Sequence, residues 1–72
     1  MYIYQRLRDL REDHDKSQKE IADILGTVRQ QYAKYENGIQ ELPMHHFITL
    51  ADYYNVSLDY LAGRVDVLKK FR

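Results

Sequence analysis

The stretch over residues 17–38, "SQKEIADILGTVRQQYAKYENG", constrains the fold more tightly than any other part of this chain. "SQKE" has the spacing of a capping box. The Ser17 hydroxyl can accept from the Glu20 amide while the Glu20 carboxylate reaches back to the Ser17 amide. Ile21, Ile24 and Leu25 then supply an apolar helical face, and Ala22 leaves room for a close neighbour. Gly26 suits the left-handed conformation that ends a helix. Only Thr27 and Val28 separate this pattern from the next, in which Val28, Tyr32 and Tyr35 recur at i, i+4, i+7 and mark an inward face. Gly38 closes it. Two short helices joined by so short a turn must meet at a sharp corner, the arrangement of a helix-turn-helix.

The flanking sequence continues in helices. Ile3, Leu7 and Leu10 lie on one face of a first helix that fades in "EDHDK". After the loop "IQEL", Pro43 is suited to a first helical turn because it lacks an N–H. Helix four reads "MHHFITLADYY", with Phe47, Ile48, Leu50, Ala51 and Tyr54 as its core. "NV" turns the chain, and Ser57 caps a last short helix, "LDYLA", that ends at Gly63. No strand-like alternation stands out. The expected fold is therefore all-α with five helices. At 72 residues, a single domain that buries ~60% of its unfolded surface is the only sensible count. Its bounds are residues 1–63, with the helix-turn-helix unit at about 17–36. Residues 64–72 form a tail, either a dimerisation element or a disordered segment. Its apolar Val65, Val67, Leu68 and Phe71 favour self-association over a frayed end.

Charge narrows the function classes. The formal net charge is zero, but its distribution is uneven. Residues 1–36 hold seven basic and seven acidic side chains, and residues 37–63 hold three acids and no Lys or Arg. Any attraction to a polyanion must therefore come from local arrangement. There are no cysteines, which excludes disulfides and thiolate metal sites and fits a reducing cytoplasm. No apolar run reaches the ~20 residues that span a bilayer, and the N-terminus has no apolar signal core. His45 and His46 are adjacent and point about 100° apart on a helix, and His14 is isolated, so no metal site is expected. Ser17 and Ser57 serve as caps, and there is no glycine-rich phosphate loop. Neither a cofactor nor an enzyme activity is expected.

The outer face of the helix over about 28–36 carries the chemistry. Gln30, Ala33, Lys34 and Asn37 fall opposite the core residues, with Arg29 at the edge. Arg can pair with O6 and N7 of guanine, and Gln with N6 and N7 of adenine, in a major groove wide enough to admit a helix. Ala33 is small enough to permit close approach, and Lys34 can reach a base or a phosphate.

"SQKEIADILG", "YAKYENG" and "LADYYNVSLDYLAGR" together resemble the Cro/phage-repressor type of helix-turn-helix, the XRE family, over nearly the whole chain. The resemblance implies a five-helix, lambda-repressor-like fold that binds double-stranded operator DNA as a homodimer on a palindromic site. It also implies roles. Gln18 resembles the glutamine that contacts a phosphate and braces the recognition helix. Arg29, Gln30 and Lys34 match positions that read bases, flanked by Gln31. Asn37 resembles a residue that contacts the backbone just past that helix. Arg11 and Glu36 match a pair that forms a buried salt bridge in some members. Repression by steric exclusion of polymerase is the expected outcome, since a domain this small has no separate activating module.

The sequence also departs from the family pattern. Val28 stands where Ser or Thr usually caps the recognition helix, and a missing cap costs about 1 kcal/mol. Thr27, counted among the DNA-facing residues, is expected to cap in its place. Lys16 replaces an apolar residue and is expected to pack its stem while its amine reaches water. The loop "IQEL" offers Gln40 and Glu41 where relatives place cations, which predicts fewer phosphate contacts and a shallower salt dependence. These features leave a second reading open: an antitoxin-like or partner-binding regulator that acts mainly through protein–protein contacts.

Overall fold

The computed structural model describes residues 4–63. The chain runs through α1 (Gln5–Asp13), α2 (Gln18–Leu25), α3 (Arg29–Glu36), α4 (Met44–Tyr54) and α5 (Leu58–Leu61). There is no strand among the described residues. The fold is the all-α, five-helix arrangement expected.

Local chemistry sets most of the boundaries. Both halves of the capping box at the start of α2 are formed: the Glu20 amide donates to Ser17 Oγ at 3.1 Å, and the Ser17 amide donates to Glu20 Oε1 at 2.8 Å. The Ser17 amide, then burial, then the Ser17 hydroxyl govern the Glu20 carboxyl, and the balance lowers its pKa. Gly26 ends α2 at φ 73°, a left-handed conformation that costs a glycine little. Asn55 does the same for α4 at φ 58°. Ser57 Oγ accepts from the Tyr60 amide at 3.0 Å and starts α5. Pro43 lies one residue outside α4, as its N-cap rather than within its first turn.

The core gathers Leu7 and Leu10 of α1, Ile21 and Ala22 of α2, Tyr32 and Tyr35 of α3, Leu50, Ala51 and Tyr54 of α4, and Leu61 of α5, with Leu42 and Val56 from the connections. Leu7, Ile21, Tyr32 and Leu50 are wholly buried. Burying an aliphatic side chain completely contributes ~1.5–3 kcal/mol. In this packing α3 sits on α2 and α1, α5 on α4 and α1, and α2 on α4. Two polar contacts tie the periphery to this core. The Arg6 guanidinium lies 4.0 Å over the Tyr60 ring and donates to the Tyr60 carbonyl at 2.9 Å, holding α5 on α1. The Leu42 amide donates to Tyr4 Oη at 3.2 Å, which closes the loop after α3 onto the start of α1.

Several sequence expectations need correction. Val28 does not face inward: it is 62% exposed and is the N-cap of α3, with no side-chain hydrogen bond. Thr27 does not cap α3 either: the helix begins at Arg29 with Val28 as its N-cap, and the Thr27 amide donates to the Ala22 carbonyl at the end of α2. Ile24 and Ile48 lie at the edges of their apolar faces and are exposed rather than core. Phe47 packs on the core while partly exposed. His14 packs on the fold, with its Nδ1 2.9 Å from the Leu10 carbonyl and its ring centroid 4.9 Å from that of Tyr54. Ile3 and the 64–72 tail lie outside the described residues.

Candidate nucleic-acid interface

α3 has one buried and one open side. Tyr32, Tyr35 and Glu36 are buried, whereas Arg29, Gln30 and Lys34 are exposed and Gln31 and Ala33 are intermediate. These eight positions form one helix, in which the buried tyrosines recur at i, i+3 with Glu36 beside them, on one face of a 3.6-residue repeat. Gln30 and Lys34, four apart, share the outer face, and their side chains make no hydrogen bond among the described residues. Between α2 and α3 lies a cleft of about 360 Å³ lined by Lys19, Asp23, Thr27, Val28, Arg29 and Gln30.

Under this surface runs a hydrogen-bonded chain centred on Glu36. Arg11 grips its carboxylate with both edges of the guanidinium, Nε to Oε2 at 2.8 Å and Nη2 to Oε1 at 3.0 Å. The Glu36 side chain is fully buried and that of Arg11 is 14% exposed. Arg11 Nη1 also donates to the Lys16 carbonyl at 2.9 Å, so the same side chain pins the connection before α2. Gln18 Nε2 donates to Glu36 Oε1 at 3.2 Å. Gln18 Oε1 in turn accepts from Arg29 Nη1 at 3.1 Å. A continuous polar path thus links the buried ion pair to an arginine on the exposed face.

The electrostatics follow from that geometry. Burial pushes the Glu36 carboxyl up, but hydrogen bonds from Arg11 and Gln18, the neighbouring Tyr32 hydroxyl and the Arg11 charge outweigh it and hold the pKa at about 2. The Tyr32 hydroxyl is itself buried and has no hydrogen-bond partner among the described residues. Its own pKa is raised by burial and then by Glu36. The hydrogen bond to Glu36 raises the Arg11 pKa against its burial. Both partners of the pair therefore stay charged across the physiological range.

Of the remaining expected residues, Gln31 lies in the first half of α3 and Asn37 at its C-terminal end. Asn37 is its C-cap, and its Oδ1 accepts from Arg8 Nη2 at 3.1 Å. The Gln31 amide hydrogen-bonds to Gln40 in the following loop. That loop exposes Ile39, Gln40 and Glu41 and carries no cation. Arg8 was missed in the sequence. Its Nε lies 3.3 Å from Glu36 Oε1, so it joins Arg11 on the same carboxylate. The i, i+3 spacing of Arg8 and Arg11 puts both on one side of α1, but spacing alone does not bring that side to Glu36. His46 was also missed as a buried group. Its ring lies edge-on to Tyr35 at 5.7 Å, and burial, with His45 behind it, lowers its pKa.

A helix-turn-helix family model matches residues 7–61, which takes in all of α2 to α5 and most of α1. The chain belongs to the XRE-type helix-turn-helix family. Among curated relatives of this family, it is 36% identical over 62 residues to the uncharacterized HTH-type transcriptional regulator YobD of Bacillus subtilis, covering 86% of this chain and 55% of that protein. It is also 36% identical over 64 residues to the cryptic phage CTXphi transcriptional repressor RstR of Vibrio cholerae, covering 89% of this chain and 57% of that one. To the HTH-type transcriptional regulator ImmR of Bacillus subtilis it is 33% identical over 70 residues, 97% of this chain and 55% of that protein. The chain thus spans about half the length of the curated relatives it matches. No solved structure matched it. Among the described residues no helix is long and apolar enough to cross a membrane.

Proposed function

We propose that the protein is a sequence-specific, double-stranded DNA-binding transcriptional regulator that reads the major groove with α3 and acts as a repressor. One observation carries this reading. The exposed face of α3 offers Arg29, Gln30 and Lys34, while the opposite face is buried and anchored through Glu36. A rigid helix with planar and cationic donors on its open side meets the requirements of base-edge readout. Arg29 would pair with guanine and Gln30 with adenine. Lys34 would reach a base or phosphate, and Gln18, Thr27, Gln31 and Asn37 would line the backbone on either side. Names among the relatives support regulation, and the name of the Vibrio cholerae relative supports repression. The protein would bind as a homodimer to an inverted repeat whose half-sites are centred about 34 Å apart.

Selection from random duplex DNA with the purified protein tests this. Enrichment of an inverted repeat with that spacing is expected. No enrichment by folded protein would sink it. A second reading, action through a protein partner, is favoured by the exposed Met44 and Ile48 on α4. Met44 lines a shallow groove of about 310 Å³ together with Phe47, Leu58, Asp59 and Ala62. Under that reading Arg29→Ala leaves DNA behaviour flat.

A further inference from the structure

The loop after α3 poses a problem for any polyanion-binding role. It runs through Ile39, Gln40, Glu41 and Leu42, and no Lys or Arg follows Lys34 until Arg64. Phosphates flanking the C-terminal end of α3 would meet an acid and no cation from that loop.

The missing charge is present on another element. Arg8 projects from α1 to the end of α3, where its Nε faces Glu36 Oε1 at 3.3 Å and its Nη2 donates to Asn37 Oδ1 at 3.1 Å. Its side chain is 47% exposed, against 14% for Arg11. Glu36 is already paired edge to edge with Arg11, so the group Arg8, Arg11 and Glu36 carries a net charge of +2 − 1 = +1. That surplus sits on Arg8, the open member. A guanidinium has five N–H donors. Two are engaged in the contacts above, and the others have no hydrogen bond among the described residues. The same contacts orient Asn37. With Oδ1 committed to Arg8, its amide NH2 is the group left to face outward, and it is a donor. A fixed, planar, partly open guanidinium beside an amide donor is a good match to the tetrahedral oxygens of a phosphodiester.

We infer that Arg8 is a DNA-backbone contact, forming with Asn37 a phosphate clamp at the C-terminal end of α3 that substitutes for the uncharged loop. The inference rests on the DNA-binding reading and adds to it a residue from outside the helix-turn-helix unit. The clamp engages phosphate and sees no base edge, so it contributes affinity without sequence preference.

The test measures binding to the duplex enriched by the selection above, as a function of salt, for wild type, Arg8→Met and Arg8→Lys. Met keeps the apolar stem and removes the charge; Lys keeps the charge and loses the fork. One phosphate contact contributes a slope of about 0.9 in log affinity against log salt, so wild type should lose about 3-fold more affinity than Arg8→Met between 50 and 200 mM. Arg8→Lys should restore most of the slope, and base preference should be the same in all three. A slope in Arg8→Met equal to that of wild type, with only thermal stability lowered, would make Arg8 a brace for Glu36 and overturn the inference. If Arg8→Met binds with an altered base preference, the clamp is also wrong, because Arg8 then reads sequence. If wild type enriches no duplex, the DNA-binding reading falls and the clamp falls with it.

Discussion

α2 and α3 are both eight residues long and meet at one corner, yet they are held in opposite ways. α2 is closed at each end by its own sequence, with the Ser17–Glu20 box before it and left-handed Gly26 after it. α3 starts at Val28 with no side-chain cap. It is held instead by groups from elsewhere: Arg11 and Arg8 of α1 on Glu36, Gln18 of α2 between Glu36 and Arg29, and the core packing of Tyr32 and Tyr35. A helix can be fixed by local capping or by tertiary anchoring. Anchoring α3 from its buried side leaves its outer side free for another molecule.

Disrupting the anchor should have the largest effect. Glu36→Ala leaves Arg11 buried beside no counter-charge, and removing one partner of a buried pair costs about 3–5 kcal/mol. Urea denaturation should show that loss; a change under about 1 kcal/mol, the size of a lost cap, would mean that α3 is held by packing alone. The same anchor should fail in acid. The folded Glu36 pKa of about 2 lies below the ordinary value of 4.5, so its contribution is full above pH 4.5 and fades as pH falls toward 2. Linkage puts that contribution at roughly 3 kcal/mol. The stability difference between wild type and Glu36→Gln, followed across this range, should narrow as pH falls. A constant difference would contradict the depressed pKa.

The caps give smaller effects of opposite sign. Ser17→Ala removes one half of the box and should destabilise by about 1 kcal/mol. Val28→Ser supplies the hydroxyl that α3 lacks and should stabilise by about 0.5–1 kcal/mol, read as a rise in thermal midpoint. If Val28→Ser has no effect, the first turn of α3 has its amides satisfied in some other way, and the contrast between the two helices narrows.

How much of this was legible in the sequence follows the same division. Locally closed features could be read directly: the capping box, Gly26, Ser57 and the buried face of Tyr32 and Tyr35 each depend on residues a few positions apart. The errors lie where tertiary context decides. Val28 continues the apolar spacing of Tyr32 and Tyr35, but the tight turn places it outside the helix, so periodicity gave it the wrong side. Ile24 and Ile48 are apolar and correctly spaced, yet they sit at the rim of their faces, and periodicity does not register how far a small core extends. Arg8 could not be placed without knowing how α1 crosses the end of α3. The family resemblance supplied Arg11, Glu36 and Gln18 as related positions; the path from Glu36 through Gln18 to Arg29 is a matter of geometry.

The central claim is that the outer face of α3 reads base pairs, and a base-by-base preference profile of Arg29→Ala against wild type tests it most directly. The account predicts that the variant loses about 1–3 kcal/mol of discrimination at one symmetry-related base pair in each half-site, with preferences elsewhere retained. A variant profile identical to that of wild type at every position would contradict it.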